Sequence, residues 1–172
     1  ALPGVYTFRL TVEGKTYTQS ATVVNDPRSP ATLADLRAQH GLLMKLYDGL
    51  RAAWDGNERA IALRAAVEKA AGANAPPDVA AAAATILAKI DSVTRGVGEQ
   101  RGGGRGGATP PNFVGVSGAL VSQLNAQDPG DQAPTPAAFA GYAKVCGDLT
   151  AVAVRWASVI GKELPALNAA LA

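Results

Sequence analysis

The chain has 172 residues, 48% apolar but only 5% aromatic, 17% charged and with a formal net charge of +2. That length suits one domain, or one domain and a piece of another, and near-neutrality removes any global electrostatic case for nucleic acid or membrane surfaces. The single cysteine, Cys146, excludes an intrachain disulfide, and no stretch approaches the ~18 uninterrupted apolar residues of a spanning helix.

Residues 1–28 read as a β-hairpin, the last two strands of a sandwich whose other strands are not in this chain. Tyr6, Phe8, Leu10 and Val12 alternate with polar residues at the strand period, Glu13-Gly14 supplies a turn, and a second strand runs from Lys15 through Tyr17 and Val23 to Val24. An isolated hairpin is at best marginal in water, so this ribbon is expected to meet a partner surface. Ala1-Leu2-Pro3-Gly4 lacks the basic region and apolar run of a signal peptide, so any export signal is expected upstream.

Residues 29–172 are helical in pattern. Helix one is expected from about Thr32 to Ala71, with Leu33, His40, Tyr47, Trp54 and Ile61 in one seven-residue series and Leu36, Leu43, Leu50 and Asn57 in another. The register survives Asp55-Gly56-Asn57, the weak point of the helix, and Gly72 ends it. Helix two starts at Asp78 as an N-cap, with Val79, Ala83, Ile86, Ile90 and Val93 as its seam. Residues 98–111, rich in Gly and Arg, read as a flexible linker. Helix three covers about Asn112–Ala126, with Phe113, Val116, Leu120 and Leu124 on one face. Thr135-Pro136 opens helix four, whose seam is Phe139, Cys146, Ala153 and Ile160 with Tyr142, Leu149 and Trp156. Pro165 must break or kink it. The fold class is therefore mainly α: an antiparallel four-helix bundle, up-down-up-down, preceded by the hairpin.

No residue stands out as catalytic, cofactor-binding or metal-binding. His40 lies between Leu36 and Leu43 and reads as a core histidine, with no second ligand at metal-site spacing. Cys146 on an apolar seam reads as a small hydrophobe. Trp54 and Trp156 could serve as sugar platforms, but their seam positions favour packing. Arg101 and Arg105 resemble an RNA-binding RGG segment without its aromatics, so solvated linker is the reading. The acids Asp35, Asp48, Asp55 and Glu68 fall on outward faces, and Asp55–Arg59 and Arg64–Glu68 read as i,i+4 pairs.

One resemblance is more specific. Pro3, Gly4, Tyr6, Thr7, Arg9 to Val12, Gly14, Lys15, Tyr17 to Gln19 and Asp26 to Arg28 form a pattern that resembles the C-terminal region of bacterial sortilin-like β-propeller proteins, which carry BNR repeats and are glycosyl-hydrolase-like. Gly118-Ala119-Leu120, Ala133-Pro134-Thr135, Arg155-Trp156 and Leu164 to Asn168 extend it. The resemblance implies that the hairpin closes an immunoglobulin-like sandwich behind an exported propeller, in the periplasm or outside the cell. Any glycosidase chemistry would then belong to the propeller, and no catalytic residue carries over to this chain.

The expected role is thus a non-catalytic structural and interaction module with a protein partner and no cofactor. Its contact would run through Tyr6, Phe8, Leu10, Val12, Tyr17 and Val23 by strand pairing. Two alternatives stand beside it: a docking subunit or adaptor of a cell-envelope assembly, and a carbohydrate-binding module. Neither nucleic acid nor membrane insertion is expected.

Overall fold

The structure, a computed structural model, describes residues 2–94, 110–128 and 130–172; most of the expected linker at 98–111 lies outside these. Strands β1 (Gly4–Val12) and β2 (Lys15–Val23) form an antiparallel pair whose register runs from Gly4 opposite Val23 to Val12 opposite Lys15. Glu13 and Gly14 both take positive φ, 49° and 78°. A two-residue loop with that handedness matches the right-handed twist of the flanking strands, which is why Glu-Gly sets the register here. Side-chain alternation puts Tyr6, Phe8, Leu10 and Val12 on the same face as Tyr17, Ala21 and Val23. The opposite face is a hydroxyl ladder, with Thr7 near Ser20 at 3.5 Å and Thr11 near Thr16 at 3.3 Å.

The rest is helical. Helix α1 spans Leu33–Ala71, 39 residues, or ~58 Å at about 1.5 Å per residue. A capping box starts it: the Asp35 N–H donates to Thr32 Oγ1 at 3.2 Å, and the Thr32 N–H donates to Asp35 Oδ2 at 2.9 Å. It runs unbroken through Asp55-Gly56-Asn57 and ends at Gly72, whose φ is 45°. Helix α2 covers Pro77–Thr94, so Pro77 and not an Asp78 cap opens it. Helix α3 covers Phe113–Gln127, capped by Asn112, and α4 covers Pro136–Ser158, capped by Thr135. A π turn, Val159–Glu163, then leads into α5 (Leu164–Leu171).

That π turn is how the chain accommodates Pro165. The Leu164 N–H reaches back five residues to the Val159 carbonyl, so the helix widens where proline has no N–H to give and its ring would crowd an ordinary turn. One residue is effectively inserted. The buried series Ala138, Val145, Val152, Val159 at spacing seven therefore resumes at Leu167, eight further on. The α4–α5 stretch is long and apolar enough to cross a membrane by length and composition, with 17% of the apolar window buried; the buried side chains pack into the bundle core.

Paired positions set the helix directions. Gly49 lies against Leu120 and Gly56 against Phe113, while Gln39 reaches Gln127 and Gly130, so α3 runs antiparallel to the first part of α1. Arg64 pairs with Asp91 across the short 72–76 connection, so α2 runs antiparallel to the last part. Lys89 pairs with Glu163 and Gln123 meets Gly141, which brings α4–α5 back antiparallel to both. The four helices pack together as expected. Strict alternation is replaced, because α2 and α3 run the same way, one after the other along the length of α1.

In α1 and α4 one of the two expected series is displaced from the core by one residue. In α1 the buried residues are Leu36, Gln39, Leu42, Leu46, Ala53, Ala60 and Val67, and the Leu33–His40–Tyr47–Trp54–Ile61 series faces outward. Of the second expected series Leu36 is buried and Leu50 packs against the core, while Leu43 and Asn57 are half-buried. In α4 the core row is Ala138, Val145 and Val152; Phe139 and Ile160 are exposed, while Tyr142, Leu149 and Trp156 do pack against the core. The α2 and α3 faces match expectation throughout. The reason is steric. A Cβ on Gly56 would lie 2.6 Å from the Phe113 ring, so α3 approaches α1 where glycine and alanine leave room. The side whose middle is small, with Gly49, Ala53, Gly56 and Ala60, faces the interior, and the row led by Tyr47, Trp54 and Ile61 is left outside.

Candidate functional site

The hairpin presents the surface singled out from sequence. Phe8, Leu10 and Tyr17 are 60%, 61% and 58% exposed, and Tyr6, Val12 and Val5 are exposed as well. Neither strand packs on any helix among the described residues, and no third strand pairs with either edge. The six expected contact residues, Tyr6, Phe8, Leu10, Val12, Tyr17 and Val23, share one face. An apolar sheet face and two free edges are what strand addition and sheet packing use.

The hairpin leads into α1 through a knotted turn. Arg28 donates to both Asp26 oxygens, at 3.1 and 2.8 Å, and the Asn25 amide donates to the Ala31 carbonyl at 3.0 Å. The Arg28 side chain, then its backbone N–H, hold the Asp26 carboxyl below its ordinary value. Leu2 reaches the cleft between α1 and the end of α3 that Leu36, His40 and Asp131 also line.

Two polar residues that sequence reasoning missed organise the bundle. Gln39, 7% exposed, donates from Nε2 to the carbonyls of Gln127 at 2.7 Å and Gly130 at 2.6 Å. It thereby satisfies acceptors left open where α3 ends. Arg155 donates to the carbonyls of Ser92, at 3.4 Å, and of Pro111, so one guanidinium ties the end of α2 to the approach to α3. A polar residue on an apolar seven-residue row was the available signal for Gln39. For Arg155 no local signal exists.

The remaining candidates sit apart from one another. His40 is exposed rather than in the core, since it belongs to the outward row of α1. Tyr47 and Trp54 likewise face solvent, not the bundle, whereas Trp156 is half-buried. Cys146 is half-buried beside Tyr142, whose hydroxyl is held above its ordinary value first by that thiol and then by burial. Arg64 and Glu68 pair at 3.0 Å, while Asp55 and Arg59 do not pair with each other. Among the described residues no group of three or more His, Cys, Asp or Glu converges. An open apolar groove runs between α1 and α4, with Ala52, Gly56, Phe113, Ala153 and Trp156 in its lining and Asp55 and Arg59 beside them.

No protein-family model matches the chain, and neither does any curated protein or solved structure.

Proposed function

We propose that the chain is a non-catalytic structural and interaction module that engages a partner protein through its N-terminal hairpin, by strand pairing and by packing of the apolar face. One observation carries this reading. The helices build a continuous core of their own, while the hairpin's apolar face and both edges meet nothing among the described residues. A two-stranded ribbon of this kind is marginal alone, and a neighbouring sheet would complete it.

Following the sequence resemblance, the completing sheet belongs to an immunoglobulin-like sandwich in an exported, glycosyl-hydrolase-like β-propeller protein, periplasmic or extracellular, and carbohydrate contact belongs to that parent. In the adaptor alternative the sheet is on a separate chain. The native protein isolated from its source tests both. A mass several-fold above 17.4 kDa, with the amides of residues 5–23 exchanging far more slowly than in the 172-residue chain, supports the reading. Equally fast exchange of those amides in the native protein would refute pairing, and a native mass of 17.4 kDa would move the sheet to a separate partner.

A further inference from the structure

The outward row of α1 is a second uncovered surface, independent of the hairpin. Tyr47, Trp54 and Ile61 are 55%, 57% and 52% exposed at seven-residue spacing, with Leu33 and Met44 also exposed. Scattered apolar residues on a surface need no explanation. A row of large ones repeating every seven residues is different, because that spacing keeps them on one line along a helix and is the pattern of a helix–helix seam.

We propose that this row is the contact of a two-fold symmetric dimer, in which α1 packs antiparallel on α1 of a second copy with Trp54 near the axis. Charge complementarity selects that occupant. The residues four positions after those of the stripe, Arg37, Met44, Arg51, Glu58 and Ala65, form a parallel row about 40° further round the helix, and all five are exposed. In an antiparallel pair, the flanking row of one helix faces the same row of the other, and charges there set register and orientation. Placing Arg51 against Glu58 of the second copy also places Glu58 against Arg51 of the second copy, and sets Met44 opposite the second copy's Ala65. Sliding by seven residues in either direction sets Arg51 against Arg51, or Glu58 against Glu58. Of these three registers the one centred beside Trp54 alone is free of like-charge contacts in this row. A slide of fourteen residues, which sets Arg37 against Glu58 and moves the axis beside Tyr47, leaves Arg51 opposite Met44 and is told apart by the Arg51 substitution below. Neither Arg51 nor Glu58 has an ion pair within the described part of its own chain, so both are available.

The extent of the stripe sets the strength. In that register α1 overlaps its copy over residues 38–71. The stripe in contact then runs from His40 to Ile61, ~32 Å, and a helix face is about 10 Å wide, so each copy covers on the order of 300 Å². The total falls below the ~1,200 Å² of a stable interface. The dimer is therefore weak and concentration-dependent, with dissociation in the micromolar to millimolar range (~10⁻⁶ to 10⁻³ M).

Sedimentation equilibrium across that concentration range tests this on the whole chain. Monomer–dimer association is expected, with Trp54→Ala weakening it at least tenfold. Arg51→Glu should do the same, since it creates two Glu–Glu contacts per dimer, and Glu58→Arg likewise. The double reversal Arg51→Glu with Glu58→Arg should return the constant to within about threefold of the original. Phe8→Glu, on the hairpin, should leave it unchanged. A chain monomeric at millimolar concentration overturns the proposal. So does failure of the double reversal to restore association, or loss of association in Phe8→Glu. Oligosaccharide quenching of Trp54 fluorescence in a chain that does not self-associate overturns it in favour of a sugar platform.

Discussion

Gly41→Ala and Gly56→Ala make the same chemical change in the same helix, and packing gives them opposite signs. Alanine in a helix interior is favoured over glycine by about 1 kcal/mol. A Cβ at Gly41 meets nothing within 4 Å, so Gly41→Ala should gain that amount and raise the melting temperature by ~2–4 °C for a chain of this size. At Gly56 the new methyl would sit 2.6 Å from Phe113 Cε1 and Cζ. The ring must retreat by about 1 Å to reach an ordinary contact of ~3.5 Å, yet Phe113 is 2% exposed and cannot swing into solvent. Overpacking of this kind costs about 1–3 kcal/mol, which cancels or exceeds the propensity gain and leaves a net loss of up to ~2 kcal/mol. Urea unfolding followed by circular dichroism measures both substitutions against one m-value. Repeating Gly56→Ala in a Phe113→Leu background isolates the contact, because with the ring gone the same change should stabilise by ~1 kcal/mol. Gly56→Ala raising the midpoint as much as Gly41→Ala, or acting identically in both backgrounds, would refute the account of how α3 seats on α1.

Three further outcomes are expected. Gln39→Leu removes both donors to the Gln127 and Gly130 carbonyls and should cost ~1–3 kcal/mol, with local hydrogen exchange rising at the α3–α4 connection before it rises in α2. Lys89→Met leaves the buried Glu163 carboxylate without its cation and should lower the urea midpoint, whereas adding Glu163→Leu to it should recover most of the loss. The acid limb of stability should carry the Asp35 signature. Its carboxyl is held below the ordinary value, 3.8, by the Thr32 side chain and then by the Thr32 backbone N–H. A depressed carboxylate contributes stability that is complete above about pH 4 and is lost as pH falls through the lowered folded value, so Asp35→Asn should flatten unfolding curves measured from pH 5 down to pH 2 and leave Asp26 as the other visible contributor.

Local pattern and tertiary contact divided the work unevenly along this chain. Strand alternation and the Glu13-Gly14 turn were enough to place the hairpin and name its apolar face, because period-two alternation and positive φ are local properties. The caps at Thr135-Pro136 and the stop at Gly72 were readable for the same reason, and so were the seams of α2 and α3, where one face alone is apolar. Helix α1 was different. It carries two adjacent seven-residue rows, Leu33-His40-Tyr47-Trp54-Ile61 and Gln39-Leu46-Ala53-Ala60-Val67, and side-chain size favours the first.

Only the packed structure shows that the second of these rows is inside. Phe113 enters at Gly56 and Leu120 at Gly49, and that close approach excludes Trp54 and Tyr47 from the interior. The tripeptide Asp55-Gly56-Asn57, a weak point by propensity, is thereby the socket of α3. In α4 the same one-residue offset separates Val145 and Val152 from Cys146 and Ala153, and the π turn forced by Pro165 shifts the row again before Leu167. The sequence by itself determined which segments are helix and which are strand. Which side of a helix faces in, and so which surface is left for a partner, was decided by how closely two backbones can meet, a property of pairs of segments that neither one encodes alone.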